Sequence, residues 1–294
     1  MGFTDLVGSI PFETLLLYLS ALLIPLLFSV YNLTQSDGSK YIKKEWGNYK
    51  VLERRVVSEG ERPVIFLTIG ARTKDLPTGS HVKIKIINPE NPSKPIVKSY
   101  TPTRFDGSSC ELMIRIYPLG SMTPSLYKLK VGDYINMVGP TGLHRYKGNG
   151  TFTHGKKVFD KIKKIGMIAG GTGVTPMIQV INKIIETPSD NTIVKLCCFN
   201  TLKEETLLES ELREAEKRSD GRVEIEFYAS RSDEGVDGKL SMRNLNAEGI
   251  IKLLDISPGE EESSIVLMCG PDGFVKHARK VLKEDGRIKK VMVW

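Results

Sequence analysis

Metal-site and disulfide chemistry have little to work with in this chain. Its 294 residues hold four cysteines and four histidines. Cys110, Cys197, Cys198 and Cys269 show no C-x-x-C spacing, and two of them are adjacent. That pattern argues against a disulfide framework and for a reducing, cytosol-facing compartment. His81, His144, His154 and His277 are scattered, with no H-x-x-H or H-E-x-x-H pair, so the common zinc signatures are excluded. There is no G-x-S-x-G elbow for a serine nucleophile and no G-x-x-x-x-G-K-S/T loop for an ATPase. The net charge is +7 and the pI about 9.1. Yet the basic residues are spread out rather than gathered into a stripe interleaved with aromatics. That disfavours nucleic acid and favours acidic partners or an anionic membrane surface. No internal repeat or low-complexity tract is present.

What is present falls into three stretches, with expected boundaries at 1–40, 41–154 and 155–294. The run 14–31, TLLLYLSALLIPLLFSVY, carries no charge. As a helix it would extend roughly 27 Å, just enough for a hydrocarbon core. A cleaved signal peptide, an uncleaved transmembrane anchor and a buried helix all fit its hydropathy. The leading residues include Asp5 and Glu13 and no Lys or Arg, whereas Lys40, Lys43 and Lys44 follow the run. That asymmetry favours an uncleaved anchor with the body of the protein in the cytosol. Residues 32–40 read as a short polar linker.

From about 46 to 150 the pattern has period two. Runs rich in Val, Ile and Tyr at 49–57, 63–69, 81–87, 96–100, 111–117 and 134–138 are punctuated by Gly, Pro, Asn and Asp. This spacing predicts a closed antiparallel barrel with one helix near 124–129. Beyond about 155, strands at 164–169, 192–199, 223–228 and 264–268 alternate with helices at 175–185, 204–217, 242–254 and 273–284. Alternation of this kind predicts a parallel sheet in an α/β domain.

The same device occurs once in each half. Gly120-Ser121-Met122-Thr123-Pro124 and Gly170-Gly171-Thr172-Gly173-Val174-Thr175-Pro176 each offer glycine, a threonine able to N-cap, and proline in the first helical turn. Free N–H groups at a helix start favour phosphate. For the first loop, capping alone is a sufficient explanation. The second follows a strand, which favours phosphate at the carboxyl edge of the sheet. Pro176 stands where a G-x-G-x-x-G would have its third glycine, so this is not that fingerprint. Two such loops suggest two dinucleotides, one held and one exchanged.

Seven segments together resemble the NADH–cytochrome b5 reductases of the ferredoxin-reductase-like flavoenzymes. They are TGSHV (78–82), KSYTPT (98–103), IRIY (114–117), GSMT (120–123), GPTG (139–142), GGTGVTPM (170–177) and MCGPDGF (268–274), in family order. The resemblance implies FAD bound in the barrel. Tyr100, Thr101, Pro102, Ile116 and Tyr117 would flank the ring and ribityl chain. Gly120, Ser121, Met122 and Thr123 would cradle the diphosphate, and Lys98 would take the place of the family's arginine. It further implies a relay from His81 to Thr101 that sheds the flavin's proton. NADH would lie on Gly171, Thr172, Gly173, Thr175 and Pro176 and on the Cys269-Gly270-Pro271 turn, with Cys269 beside the nicotinamide. Ser230 and Arg231 stand where animal members carry an aspartate, and resemble the Ser-Arg pair of NADPH-using relatives. The implied reaction takes hydride from NADH, with NADPH tolerated, and passes single electrons to cytochrome b5 or a similar acidic haem protein. No His-Pro-Gly-Gly segment occurs, so the haem would belong to another chain. A reductase serving a quinone or a ferredoxin-like acceptor is the alternative. A tethered adaptor barrel without redox chemistry is the reading from another class. Both the endoplasmic reticulum and the mitochondrial outer membrane, at the cytosolic face, fit the anchor.

Overall fold

The computed structural model describes residues 40–42, 44–72, 76–88, 90–231 and 237–294. The expected anchor, nearly all of its linker, and Lys43 lie outside these. Among the described residues no helix is long and apolar enough to cross a membrane.

The first half is an antiparallel sheet of seven strands. They are β1 (Gly47–Ser58), β2 (Val64–Ile69), β3 (His81–Ile86), β4 (Ile96–Tyr100), β5 (Arg104–Phe105), β6 (Cys110–Arg115) and β7 (Tyr134–Thr141). Their order is β4-β3-β7-β1-β2-β6-β5. β1 pairs with β7 through Gly47–Lys50 and with β2 from Val51 onward, so it passes from one part of the sheet to the other. Inward residues from both parts meet in one core that includes Val51, Ile65, Leu67, Val82, Ile84, Leu112, Ile114 and Met137. The sheet therefore wraps as expected, but the ladder ends at β4 and β5, and among the described residues no strand pairing joins them. The expected closure is replaced by the sharp path 100–104, where Pro102 removes a ladder donor. A short helix, α1 (Thr123–Tyr127), plugs one end with Leu126.

β2 is VIFLTI, buried almost throughout. Ile65, Leu67 and Ile69 point into the wrapped core. Val64 and Phe66, with Met113 of β6, point out of it into a second apolar cluster shared with the α/β half. The alternation thus builds two cores from one strand, and the second is the seam between the halves. The strands β8 (His144–Gly148), β9 (Thr151–His154) and β10 (Lys157–Phe159) form a small antiparallel sheet across residue 154. Buried Tyr146 pins this sheet by donating to Asp190 Oδ2 at 2.5 Å.

The second half is a six-stranded parallel sheet of β11 (Lys164–Gly170), β12 (Ile193–Asn200), β13 (Val223–Ala229), β14 (Gly238–Lys239), β15 (Ser264–Cys269) and β16 (Val291–Val293). Its order is β14-β13-β12-β11-β15-β16. Helices α2 (Val174–Ile185) and α3 (Glu209–Arg218) bury Met177, Ile181, Leu212 and Ala215 in the seam cluster on one face. Helices α4 (Ala247–Leu253) and α5 (Asp272–Asp285) bury Ile250, Val275, Ala278 and Leu282 on the other. Chain order reverses between β11 and β15, so their carboxyl ends open a crevice at the switch point.

Two expected helices are shorter than the sequence suggested. The 242–254 segment splits into a single 3-10 turn at Met242–Asn244 and α4, because the Asn246 side chain accepts from Gly249 N–H at 2.8 Å and restarts the helix. The 204–217 segment starts late, because Leu208 adopts a left-handed φ of 57° just before α3.

Candidate active site

At the switch point the backbone crosses itself at close quarters. A Cβ on Gly173 would lie 2.1 Å from the Cys269 carbonyl oxygen, and one on Gly270 would lie 3.0 Å from Gly170 Cα. Gly270 also has φ +158°. Only glycine fits, and this lets the two loops close into one cradle. Helices α2 and α5 both begin there with no side-chain cap hydrogen bond, at Gly173 and Pro271. At α2 the Val174 N–H already donates to the Gly171 and Thr172 carbonyls, whereas the N–H groups that open α5 have no side-chain cap, which suits an anion. The threonines do not cap as the sequence suggested. Thr175 Oγ1 donates back to the Thr172 carbonyl at 3.1 Å. Thr123 is the first residue of α1, after Met122, and its Oγ1 accepts from Tyr117 N–H at 2.9 Å. Thr123 therefore ties the Tyr117–Gly120 turn shut instead of capping.

Two cavities meet in this region. One, of about 790 Å³, lies between the halves and is lined by His81, Lys98, Tyr100, Thr101, Tyr117, Gly120, Ser121, Met122, Thr123, Thr172, Gly173, Thr175, Cys269 and Gly270. The other, of about 1070 Å³, lies over the sheet edge and is lined by Gly171, Thr172, Ser230, Arg231, Gly270 and Pro271. Lys98, Ser99, Arg115 and Tyr117 line both. These volumes are in the range of cofactor sites, and the glycine cradle with its uncapped helix starts suits diphosphate groups. The chain therefore has the donors and the room for FAD in the first cavity and for a nicotinamide dinucleotide that lies in the second and reaches Gly173 and Cys269 in the first.

Three expected site residues line neither cavity. Ile116 is buried in the barrel core. Pro176 is buried among the apolar residues of α2. Pro102 turns its carbonyl to Gln179 Nε2 at 2.8 Å. His81 and Thr101 line the same cavity, but no hydrogen bond joins them among the described residues, so the expected relay is not made here. The His81 carbonyl accepts instead from Thr141 Oγ1 at 3.1 Å.

Burial, then the nearby charges of Lys83, Arg145 and His144, hold the His81 imidazole below its ordinary value of 6.5. It is thus neutral at neutral pH and free to accept a proton. Burial pushes the Cys269 thiol up to about 11, so it is not a thiolate at neutral pH. Burial likewise pushes Cys110 up to about 12 and raises Cys197 and Cys198 further, consistent with inert apolar packing.

Some lining residues carried no signal in the sequence. Arg115 is 7% exposed, its Nε is buried without a partner, and its guanidinium donates to the Glu205 carbonyl at 2.6 Å. His144 and His154 join Nδ1 to Nδ1 at 3.2 Å in the first cavity. Trp294 lies tilted against His144 with ring centroids 4.6 Å apart and donates from Nε1 to the Gly79 carbonyl. His277 Nε2 donates to the Leu245 carbonyl at 3.0 Å.

Residues 48–146 match the oxidoreductase FAD-binding domain model, and residues 167–280 match the oxidoreductase NAD-binding domain model. The chain is 30% identical to the NADH-cytochrome b5 reductase 1 of Candida glabrata, with 81% of this chain and 79% of that protein covered. It is 32% identical to the nitrate reductase (NADPH) of Aspergillus niger over 87% of this chain and 30% of that protein. A solved structure, the cytochrome b5 reductase domain of Ulva prolifera nitrate reductase, superposes with a TM-score of 0.71 at 26% identity. It covers 87% of this chain and 99% of the other. On these matches, and on a site built as two adjoining dinucleotide cavities, the chain belongs to the NADH–cytochrome b5 reductase family.

Proposed function

We propose that this chain takes hydride from NADH and passes single electrons to cytochrome b5 or a similar acidic haem protein. The observation that carries the reading is the wall of Lys98, Ser99, Arg115, Tyr117, Thr172 and Gly270, which the two cavities share. FAD, when bound, supplies the conversion from two-electron to one-electron chemistry. The residues do the rest. Lys98 and the Gly120–Thr123 turn would hold the FAD diphosphate, and Tyr100, Thr101 and Tyr117 would flank the ring. Gly171, Thr172, Gly173 and the Cys269–Gly270–Pro271 turn would hold the nicotinamide dinucleotide. His81, neutral beside the cavity, would take up a proton on its ring. The net charge of +7 suits an acidic acceptor. Stopped-flow reduction of cytochrome b5 by the FAD-loaded enzyme and NADH tests this. Rapid ferricyanide reduction with no cytochrome b5 reduction would favour the alternative, a reductase for a quinone or ferredoxin-like acceptor.

NADPH use has its own support. Arg231, exposed, and Arg243 line the second cavity together with Ser230 and Ser241. Guanidinium groups at the edge of such a cavity would accept a 2′-phosphate that a carboxylate would repel. One of the relatives above is an NADPH enzyme. Arg231→Ala should lower kcat/KM for NADPH while sparing NADH, and an unchanged ratio would remove the idea.

Residues 14–31 would anchor the chain at the cytosolic face of the endoplasmic reticulum or the mitochondrial outer membrane. The support is the uncharged run followed by Lys40, Lys43 and Lys44. Retention of the full chain in membranes after an alkaline carbonate wash is the expected result, and its release would contradict the anchor.

A further inference from the structure

Gln179 lies four residues beyond Thr175, on the same face of α2. Its Oε1 accepts from the Gly79 N–H at 2.9 Å. Its Nε2 donates to the Pro102 carbonyl at 2.8 Å and, more weakly, to the Ser80 carbonyl at 3.4 Å. The partners fix the orientation of the amide, since an N–H requires the oxygen and two carbonyls require the NH2. One side chain of the α/β half thus fastens two separate segments of the barrel half. Gly79 and Ser80 run directly into His81, and Pro102 directly follows Thr101. These are the two polar side chains of the flavin cavity that share no hydrogen bond of their own. Gly79 has little room to yield: its φ is +93°, a Cβ there would meet the His144 carbonyl oxygen at 2.8 Å, and its own carbonyl is held by Trp294 Nε1 at 3.1 Å.

We propose that Gln179 is a positioning residue. It sets the separation of His81 and Thr101 across the flavin cavity, and it transmits movements of α2 to that pair. Helix α2 is suited to the second task, because in the loop that begins it Gly171 and Thr172 line the dinucleotide cavity. A shift of that loop on nucleotide binding would pull on Gly79 and Pro102 through one rigid amide. The kinetic part of this proposal rests on the reductase reading; the clamp itself rests on the hydrogen bonds alone.

The test uses the FAD-loaded full chain and two substitutions. Gln179→Met keeps length and loses all three bonds. Gln179→Glu keeps the acceptor for Gly79 N–H but sets a carboxylate oxygen against the Pro102 carbonyl. The chain has two tryptophans, so in a Trp46→Phe background the emission of Trp294 reports on Gly79. The expected result is that both variants, at pH 8, lose about tenfold in kcat per bound flavin with KM for NADH within about twofold, as a misplaced pair requires. Trp294 emission should shift in Gln179→Met and stay near wild type in Gln179→Glu. The proposal is overturned if kcat per flavin is unchanged and only the melting temperature falls, which would make Gln179 a fastener and nothing more. If Gln179→Met does not fold, wild-type kcat in Gln179→Glu overturns it equally. Should even the wild type take up no flavin, the reductase reading fails and emission decides: a shift in Gln179→Met supports the clamp, and none overturns it.

Discussion

Lys98 is the residue where the charge of one side chain has most to do. It is exposed on the wall shared by both cavities, with an ammonium where a guanidinium fork would hold a diphosphate on two oxygens. Loss of one charge-assisted hydrogen bond costs about 1.5–3 kcal/mol. Lys98→Ala should therefore raise the Kd for FAD by roughly tenfold or more, and Lys98→Arg should lower it. Flavin titration of the apoprotein measures both, and equal affinities for the three forms would contradict the assignment. The histidines make a second prediction. Burial, the largest cause for each, holds His81 and His144 below 6.5 in the fold. The unfolded chain then binds more protons than the fold as pH drops below 6.5, so stability is kept above that value and lost below it. The melting temperature should fall between pH 7 and pH 5.5, and less steeply in a His81→Asn, His144→Asn double variant. A fall of equal steepness in that variant would count against the account. The glycines and the Thr-Pro turns were legible in the sequence because backbone geometry demands those residue types locally. Arg115, Gln179 and Trp294 were not, because each finds its partner 90, 100 and 215 positions away. No local pattern marks such a partner.

Elements tell a similar story one level up. The order of strands and helices followed from periodicity, since period two and period 3.6 bury different faces. What periodicity could not convey was the fine anatomy of helix starts. The threonines looked like caps, yet Thr123 and Thr175 turn their hydroxyls to nearby backbone. A sequence shows that a hydroxyl is available, not which of several backbone groups it will meet. At this scale the crossing of the β11–α2 and β15–α5 loops is the critical joint. Gly173→Ala would set a methyl 2.1 Å from the Cys269 carbonyl oxygen in a place bounded by backbone. Overpacking of that kind costs about 1–3 kcal/mol. Separation of the loops should weaken nicotinamide dinucleotide binding while leaving FAD content near wild type. Calorimetric titration with the oxidised nucleotide reads the first and the flavin-to-protein absorbance ratio the second. Unimpaired nucleotide binding in Gly173→Ala would contradict the cradle.

For the whole molecule, the seam between the halves is what makes a reductase of two cavities. Val64, Phe66 and Met113 give the outer face of the barrel sheet to a core built mainly by α2, α3 and the parallel sheet. Gln179 and Arg115 add polar ties across the same seam. A boundary at 154 was natural from composition, since the pattern changes near there. It runs between β9 and β10 of one small sheet, because hydrogen bonding across a hairpin leaves no mark in composition. The central claim is that this seam lays a nicotinamide site against a flavin site. The visible absorbance spectrum of the FAD-loaded protein, taken before and after one equivalent of NADH without oxygen, tests it most directly. The account predicts a yellow protein whose flavin absorbance bleaches on mixing; a protein that cannot be loaded with FAD, or whose bound flavin stays oxidised in NADH, would contradict it.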